Sequence, residues 1–192
     1  MPPRGRTFEG VVRAAEAVLR SNRVEHVYVG GLSVMAFGVP RATVDVDVFA
    51  NCALGSVGAI ASGFRKRAFL VAADDLRDAL LDRRSQMMID DTRSLHHIDL
   101  VPTVDPAKKH ALKARADVRL LGMTLPIARP EHTVVMKLKF GSDRDLEDGV
   151  GMLVRQQGKL HLEEMRRFAR QQGLLSDLLD FEKRAERLAM TS

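Results

Sequence analysis

Apolar residues at Val11, Val12, Ala15, Val18 and Leu19 recur at helical spacing and predict an amphipathic helix over residues 7–21. A short apolar run ends at Tyr28 and Val29 and reads as a strand, Gly30-Gly31 reads as a turn, and Leu32 to Phe37 reads as a helix opening. The period then changes to two. In Val44-Asp45-Val46-Asp47-Val48 the three valines fall on one face of a strand and both carboxylates on the other, so one face packs and the other is free for chemistry. Beyond it the pattern predicts a helix near 54–65, a short strand after residue 68, a polar helix near 74–84, and strands at QMMID (86–90) and LHHIDLVP (95–102). A lysine-rich helix follows Pro106, and Val118–Leu121 and Thr124–Ile127 flank Gly122-Met123 as a hairpin. From Pro130 the chain reads as helical, with breaks near Gly141, Gly158 and Gly173. These elements predict an α+β fold: a small mixed sheet flanked by helices, then a helical C-terminal region, with no internal repeat or low-complexity linker.

The paired aspartates are the first candidate chemistry. Two like charges this close raise each other's proton affinity unless a cation lies between them, and hard oxygen ligands of this kind suit Mg²⁺. The alternative is an edge strand with a solvated acidic face. Gly30 and Gly31, at a strand-to-helix turn, would let backbone amides approach a phosphate closely, with Ser33 offering a hydroxyl; the alternative is an ordinary tight turn. Asp99, at the centre of the later apolar strand, could lie beside Asp45 and Asp47 and complete a set that binds two cations and activates an attacking hydroxyl.

Taken in order, Gly30-Gly31-Leu32-Ser33, then Arg41, Thr43, Asp45 and Asp47, then Asp99 resemble the nucleotidyltransferases of the DNA polymerase beta superfamily. More narrowly the chain resembles the AbiEii-like branch, which includes the toxins of type IV toxin-antitoxin pairs. The stretch Ile127-Ala128-Arg129-Pro130-Glu131-His132, Lys137-Leu138-Lys139 and Arg144-Asp145-Leu146-Glu147-Asp148 carries the likeness onward, over residues 27–153 in all. One departure is Leu32, which stands between Gly31 and Ser33 where many members place serine directly after the first glycine. The resemblance implies a polymerase-beta-like core at 1–128 and a helical region at 129–192 packed on it. It implies Asp45, Asp47 and Asp99 as catalytic residues and ligands of Mg²⁺ or Mn²⁺, and Gly30, Gly31, Ser33, Arg41, Thr43, Lys137, Asp145 and Asp148 as nucleotide-binding. It further implies transfer of NMP from an NTP to an acceptor hydroxyl, with the 3′ end of tRNA as acceptor and an antitoxin protein as partner. Read from the residues alone, Lys137 and Lys139 could be a solvated helix face, and Asp145 and Asp148 an acidic pair at a helix start.

Composition adds limits. A chain of 192 residues with 45% hydrophobic content can bury a real core. No apolar run is long enough to span a membrane, and the N-terminus MPPRGRTFEG lacks the apolar stretch of a signal peptide, so a cytoplasmic enzyme is expected. Cys52 is the sole cysteine, which excludes an internal disulfide or a multi-cysteine zinc site and reads as a small buried hydrophobe. His97 shares the strand face of Asp99 and either touches the metal site or is satisfied by a carbonyl, whereas His96 faces the core side; His26, His110, His132 and His161 show no ligand spacing. Of the net charge of +5, residues 101–192 hold +4, with 17 Lys and Arg against 13 Asp and Glu. Lys108, Lys109, Lys113 and Arg115 on one helix, and Arg166, Arg167 and Arg170 on another, either meet RNA phosphates or form solvated faces. Rival acceptors are a protein hydroxyl and a hydroxylated antibiotic, a basic groove favouring RNA and an acidic pocket the drug; a non-catalytic nucleotide-binding module is the reading from another class.

Overall fold

The alternating and continuous apolar segments assemble into a seven-stranded mixed sheet, seen in a computed structural model that describes residues 5–82, 86–103 and 105–190. The strands are β1 (Glu25–Tyr28), β2 (Asp45–Asn51), β3 (Phe69–Leu70), β4 (Met87–Asp91), β5 (His97–Pro102), β6 (Arg115–Leu120) and β7 (Met123–Ala128). Their spatial order is β3-β4-β5-β2-β1-β7-β6. The β2/β5 and β1/β7 pairs are parallel and the remaining neighbours antiparallel. The helices are α1 (Phe8–Ser21), α2 (Gly30–Phe37), α3 (Val57–Arg65), α4 (Ala73–Asp82), α5 (Pro106–Lys113), α6 (Pro130–Phe140), α7 (Asp143–Arg155), α8 (Leu162–Gln171) and α9 (Leu175–Ala189). The last two residues of the helix expected at 74–84 lie outside the described residues.

Local chemistry explains the boundaries. Thr7 caps α1 through a hydrogen bond from the Gly10 amide, Asp105 caps α5 ahead of Pro106, and Ser142 caps α7 by accepting from the Asp145 amide at 3.2 Å. Gly141, at φ 69°, ends α6 in the left-handed region that favours glycine. The hairpin turn differs by one residue from the expected one: it is Leu121-Gly122, at φ 50° and 68°, the doubly positive turn that matches the strands' twist.

Two cores place the site. Val46, Val48, Ile98 and Leu100 are fully buried on the sheet face covered by α1, α3 and α4, each stabilising by about 1.5–3 kcal/mol. Val44, expected among the packing valines, precedes β2 and is 52% exposed. Val34 of α2 packs with α6, α7, α8 and α9 in a second core, so α2 is the shared wall between sheet and helical region. The other face of β2 and β5 bears Asp45, Asp47, His97 and Asp99, and Asp47 on it lines the cleft beneath α5 and α6. No described helix is long and apolar enough to cross a membrane.

Candidate active site

Register brings the carboxylates together. On the parallel pair β2 and β5, Asp45 stands opposite His97 and Asp47 opposite Asp99. The turn from β1 into α2 closes over them: the Val29 amide donates to the Asp47 carbonyl at 3.1 Å, and the Gly31 amide donates to the Asp47 carboxylate. Gly30 has φ +53°, and a Cβ there would meet Asp47 Oδ2 at 2.1 Å; one on Gly31 would meet Thr43 Oγ1 at 2.9 Å. Both glycines are therefore required by close approach.

Burial raises the Asp47 carboxyl above the ordinary aspartate range, and repulsion from Asp99 and Asp45 adds to it despite the Gly31 amide. Asp99 is raised too, by burial first and then by Asp45 and Asp90, against the lowering effect of His97. The His97 Nε2 lies 3.1 Å from Asp45 Oδ1 and 3.8 Å from Asp99 Oδ2, between the two carboxylates. Asp99 Oδ1 is buried without a hydrogen-bond partner. This donor set, hard oxygens with an unsatisfied atom and mutual repulsion, fits a divalent cation. It is gathered rather than closed, since among the described residues no three His, Cys, Asp or Glu side chains already converge as a cage.

Opposite the carboxylates stands a wall of paired charges. Lys137, on α6 and buried, bonds Asp145 Oδ1 at 2.6 Å and Asp148 Oδ2 at 3.0 Å. Arg41 forms a two-point pair with Asp148, Nε to Oδ1 at 2.8 Å and Nη2 to Oδ2 at 2.7 Å. Burial acts to raise Asp148, but Arg41 and Lys137 outweigh it and hold the carboxyl below its ordinary value; Asp145 is lowered in the same way by Lys137 and Ser142. Asp145 and Asp148 thus hold the two cations in place.

Two clefts meet at Gly30, Asp47 and Lys137. The more polar, about 360 Å³, runs past Gly31, Arg41, Thr43, Asp45 and Arg144. The other, about 520 Å³, runs past Phe49, Asp105, Lys108, His132, Met136 and Phe140. The structure therefore brings together Gly30, Gly31, Arg41, Thr43, Asp45, Asp47, Lys137 and Asp145 at these clefts, with Asp99 adjoining through β5 and Asp148 behind Arg41 and Lys137. Ser33 departs from expectation. Its hydroxyl is fully buried, donates to the Ala128 carbonyl at 3.0 Å and bonds Thr133 Oγ1 at 2.7 Å, tying α2 to α6 instead of facing the turn. His96 lies on the core side as expected, packing edge-on against Phe8 of α1, which borders the main core, and bonding the Val44 carbonyl.

Sequence reasoning missed the second cleft's wall. His132 stacks with His110 and Phe168, ring centroids 5.6 and 4.9 Å away, and burial pushes its pKa down to about 3, so the ring is neutral. The Asp105-Pro106 start of α5 was a readable helix signal; nothing local marked Phe140 or His132 as cleft residues.

No family model matches the sequence, and no curated protein aligns with it. Solved structures do. The solution structure of the antibiotic-resistance factor ANT(2″)-Ia superposes with a TM-score of 0.58 at 10% identity, over 96% of this chain and 97% of that one. The crystal structure of ANT(2″)-Ia in complex with adenylyl-2″-tobramycin gives 0.59 at 12% identity, over 85% of this chain and 97% of that one. The chain shares this fold, a mixed sheet flanked by helices with a helical C-terminal region.

Proposed function

We propose that the protein is a metal-dependent nucleotidyltransferase, and the observation that carries it is the Asp47–Asp99 register directly in front of the Gly30-Gly31 helix start. A helix N-terminus favours anions, Lys137 and Arg41 add positive charge, and the carboxylates supply cation ligands and a base, which are the parts needed for phosphoryl-group transfer. Gly30, Gly31, Thr43, Arg41 and Lys137 bind the NTP phosphates, with Asp145 and Asp148 holding Lys137 and Arg41. Asp45, Asp47 and Asp99 would hold Mg²⁺ or Mn²⁺, which when bound supplies positive charge where phosphate charge builds up. The acceptor hydroxyl oxygen attacks the α-phosphorus in line as the bond to the bridging oxygen breaks. The hydroxyl proton passes to the Asp99 carboxylate, NMP is joined to the acceptor, and pyrophosphate leaves.

The adenylyl-2″-tobramycin held by ANT(2″)-Ia is what adenylyl transfer to a drug hydroxyl makes. Here Lys108, Lys137 and Lys139 line the larger cleft together with Asp47, Asp105 and Asp145, and Lys108 and Lys137 are paired with Asp105 and Asp145, so the lining is balanced in charge; the acceptor proposed, the 3′ end of tRNA, rests on the resemblance of the sequence motifs. The protein then acts in the cytoplasm as a growth-inhibiting toxin restrained by an antitoxin. The test is incubation with each α-labelled NTP, Mg²⁺ and total tRNA or lysate, beside Asp47→Asn. Label that needs Asp47 and is removed by nuclease supports the reading; label removed by protease moves the acceptor to protein, and full activity of Asp47→Asn overturns the mechanism. Growth arrest on expression of the native chain but not of Asp47→Asn tests the toxin role.

A further inference from the structure

The last residue of α6 is Phe140, and 67% of it is exposed although it lines the larger cleft. A phenyl ring left in water forgoes about 2 kcal/mol of burial, and this one stands at a cleft that reaches Asp47. Behind it the wall is apolar: Met136 one helical turn back on α6, and Phe49 and Val101 from β2 and β5. On the rim are two ammonium groups, Lys108, 3.1 Å from Asp105, and Lys139, which donates to Gln172 Oε1 at 2.9 Å. A flat, sequence-tolerant apolar face flanked by cations fits a planar ring that carries phosphate.

We propose that this cleft is a nucleobase site in which Phe140 is the stacking platform, Met136, Phe49 and Val101 the apolar floor, and Lys108 and Lys139 the phosphate rim. It rests on the proposed transfer reaction for its purpose but not for its chemistry. The base comes from the incoming NTP or from the terminal nucleotide of the acceptor, and the rings offered to Phe140 are the same in either case. Aromatic residues make up only 5% of the sequence, but Phe140 is placed at this cleft and is unpaired with any other ring among the described residues.

The chain contains no tryptophan, so Phe140→Trp installs a single reporter whose emission a stacked base quenches. The variant is titrated separately with each NTP, with a short RNA bearing a free 3′ hydroxyl, and with inorganic triphosphate. Saturable quenching by a base-bearing ligand and none by triphosphate is the expected result, and the ligand that quenches identifies the source of the base. Phe140→Ala should raise the KM for that same ligand roughly 10-fold while leaving the KM of the other substrate in place. Equal quenching by triphosphate, or no quenching by any base-bearing ligand in a variant that still transfers label, overturns the stacking site and leaves the transferase reading standing. Quenching by a nucleotide in a protein that transfers to no acceptor supports the site and sinks the transferase reading.

Discussion

Gly30 and Asp47 interlock: the carboxylate of one occupies the space in which a side chain on the other would begin, 2.1 Å from an ideal Cβ. Gly30→Ala must both adopt φ +53° and displace the carboxylate, so it should lower stability by about 1–3 kcal/mol and reduce transfer at least about 100-fold. Gly55, with nothing within 4 Å of its Cβ position, is the control and should tolerate alanine in both assays. Denaturant unfolding and label transfer measured on the two variants check this.

The Arg41–Asp148 pair spans 107 residues and joins the segment before β2 to α7. Its planar two-point geometry cannot be copied by an ammonium, so Arg41→Lys should weaken NTP binding about 10-fold. In a double-mutant cycle with Asp148→Ala, Arg41→Ala should show a coupling of about 1–2 kcal/mol. Additive effects would mean that the two side chains act independently. Calorimetric binding and unfolding on the four proteins give the answer.

On the opposite face, Glu16 is buried beside His26, its Oε2 2.8 Å from Nε2, and beside Arg20. Burial acts to raise its carboxyl, yet His26 and Arg20 outweigh this and hold it below the ordinary value of 4.5. A carboxyl lowered by folding stabilises the fold above its unfolded pKa, and that stability is lost as pH falls through the lower folded value. Glu16→Gln should therefore lower the melting temperature at pH 7 by several degrees and make the curve flatter below pH 4.5. Melting curves from pH 7 to pH 3 distinguish this from a pH-independent packing loss.

Burial pushes the Cys52 thiol up to about 12, and thiolate is the reactive form. Cys52 is partly buried against the core, so at pH 8 a disulfide reagent should label the folded protein much more slowly than it labels the one thiol in denaturant. Rapid labelling of the folded chain would place Cys52 in solvent.

Much of this was readable from spacing. The two-residue period in Asp45–Val48 and the turn residues Gly30 and Gly31 are local signals, and so are the caps at Asp105 and Ser142 and the stop at Gly141. Pairing was not readable, because the crossover from β2 to β5 passes through α3, β3, α4 and β4. No local pattern records which strand returns beside which. The error at Val44 has the same origin: the alternation extends in sequence ahead of the point where the parallel neighbour β5 begins, at His97 opposite Asp45. Ser33 misled because a hydroxyl near a glycine turn suits a phosphate in sequence, while its bond to Thr133 is made across 100 residues. The His110–His132–Phe168 stack likewise gathers α5, α6 and α8 from separated segments.

The strand order has one more consequence. β2 and β5 are hydrogen-bonded on both sides, while the sheet's edges are the two-residue β3 and the hairpin strand β6. Edges fray first and central ladders last, so Asp45, Asp47 and Asp99 ride on the part of the chain that opens only when nearly everything else has. Their separation is then a cooperative event: on heating, the carboxylates should stay together until the fold itself is lost.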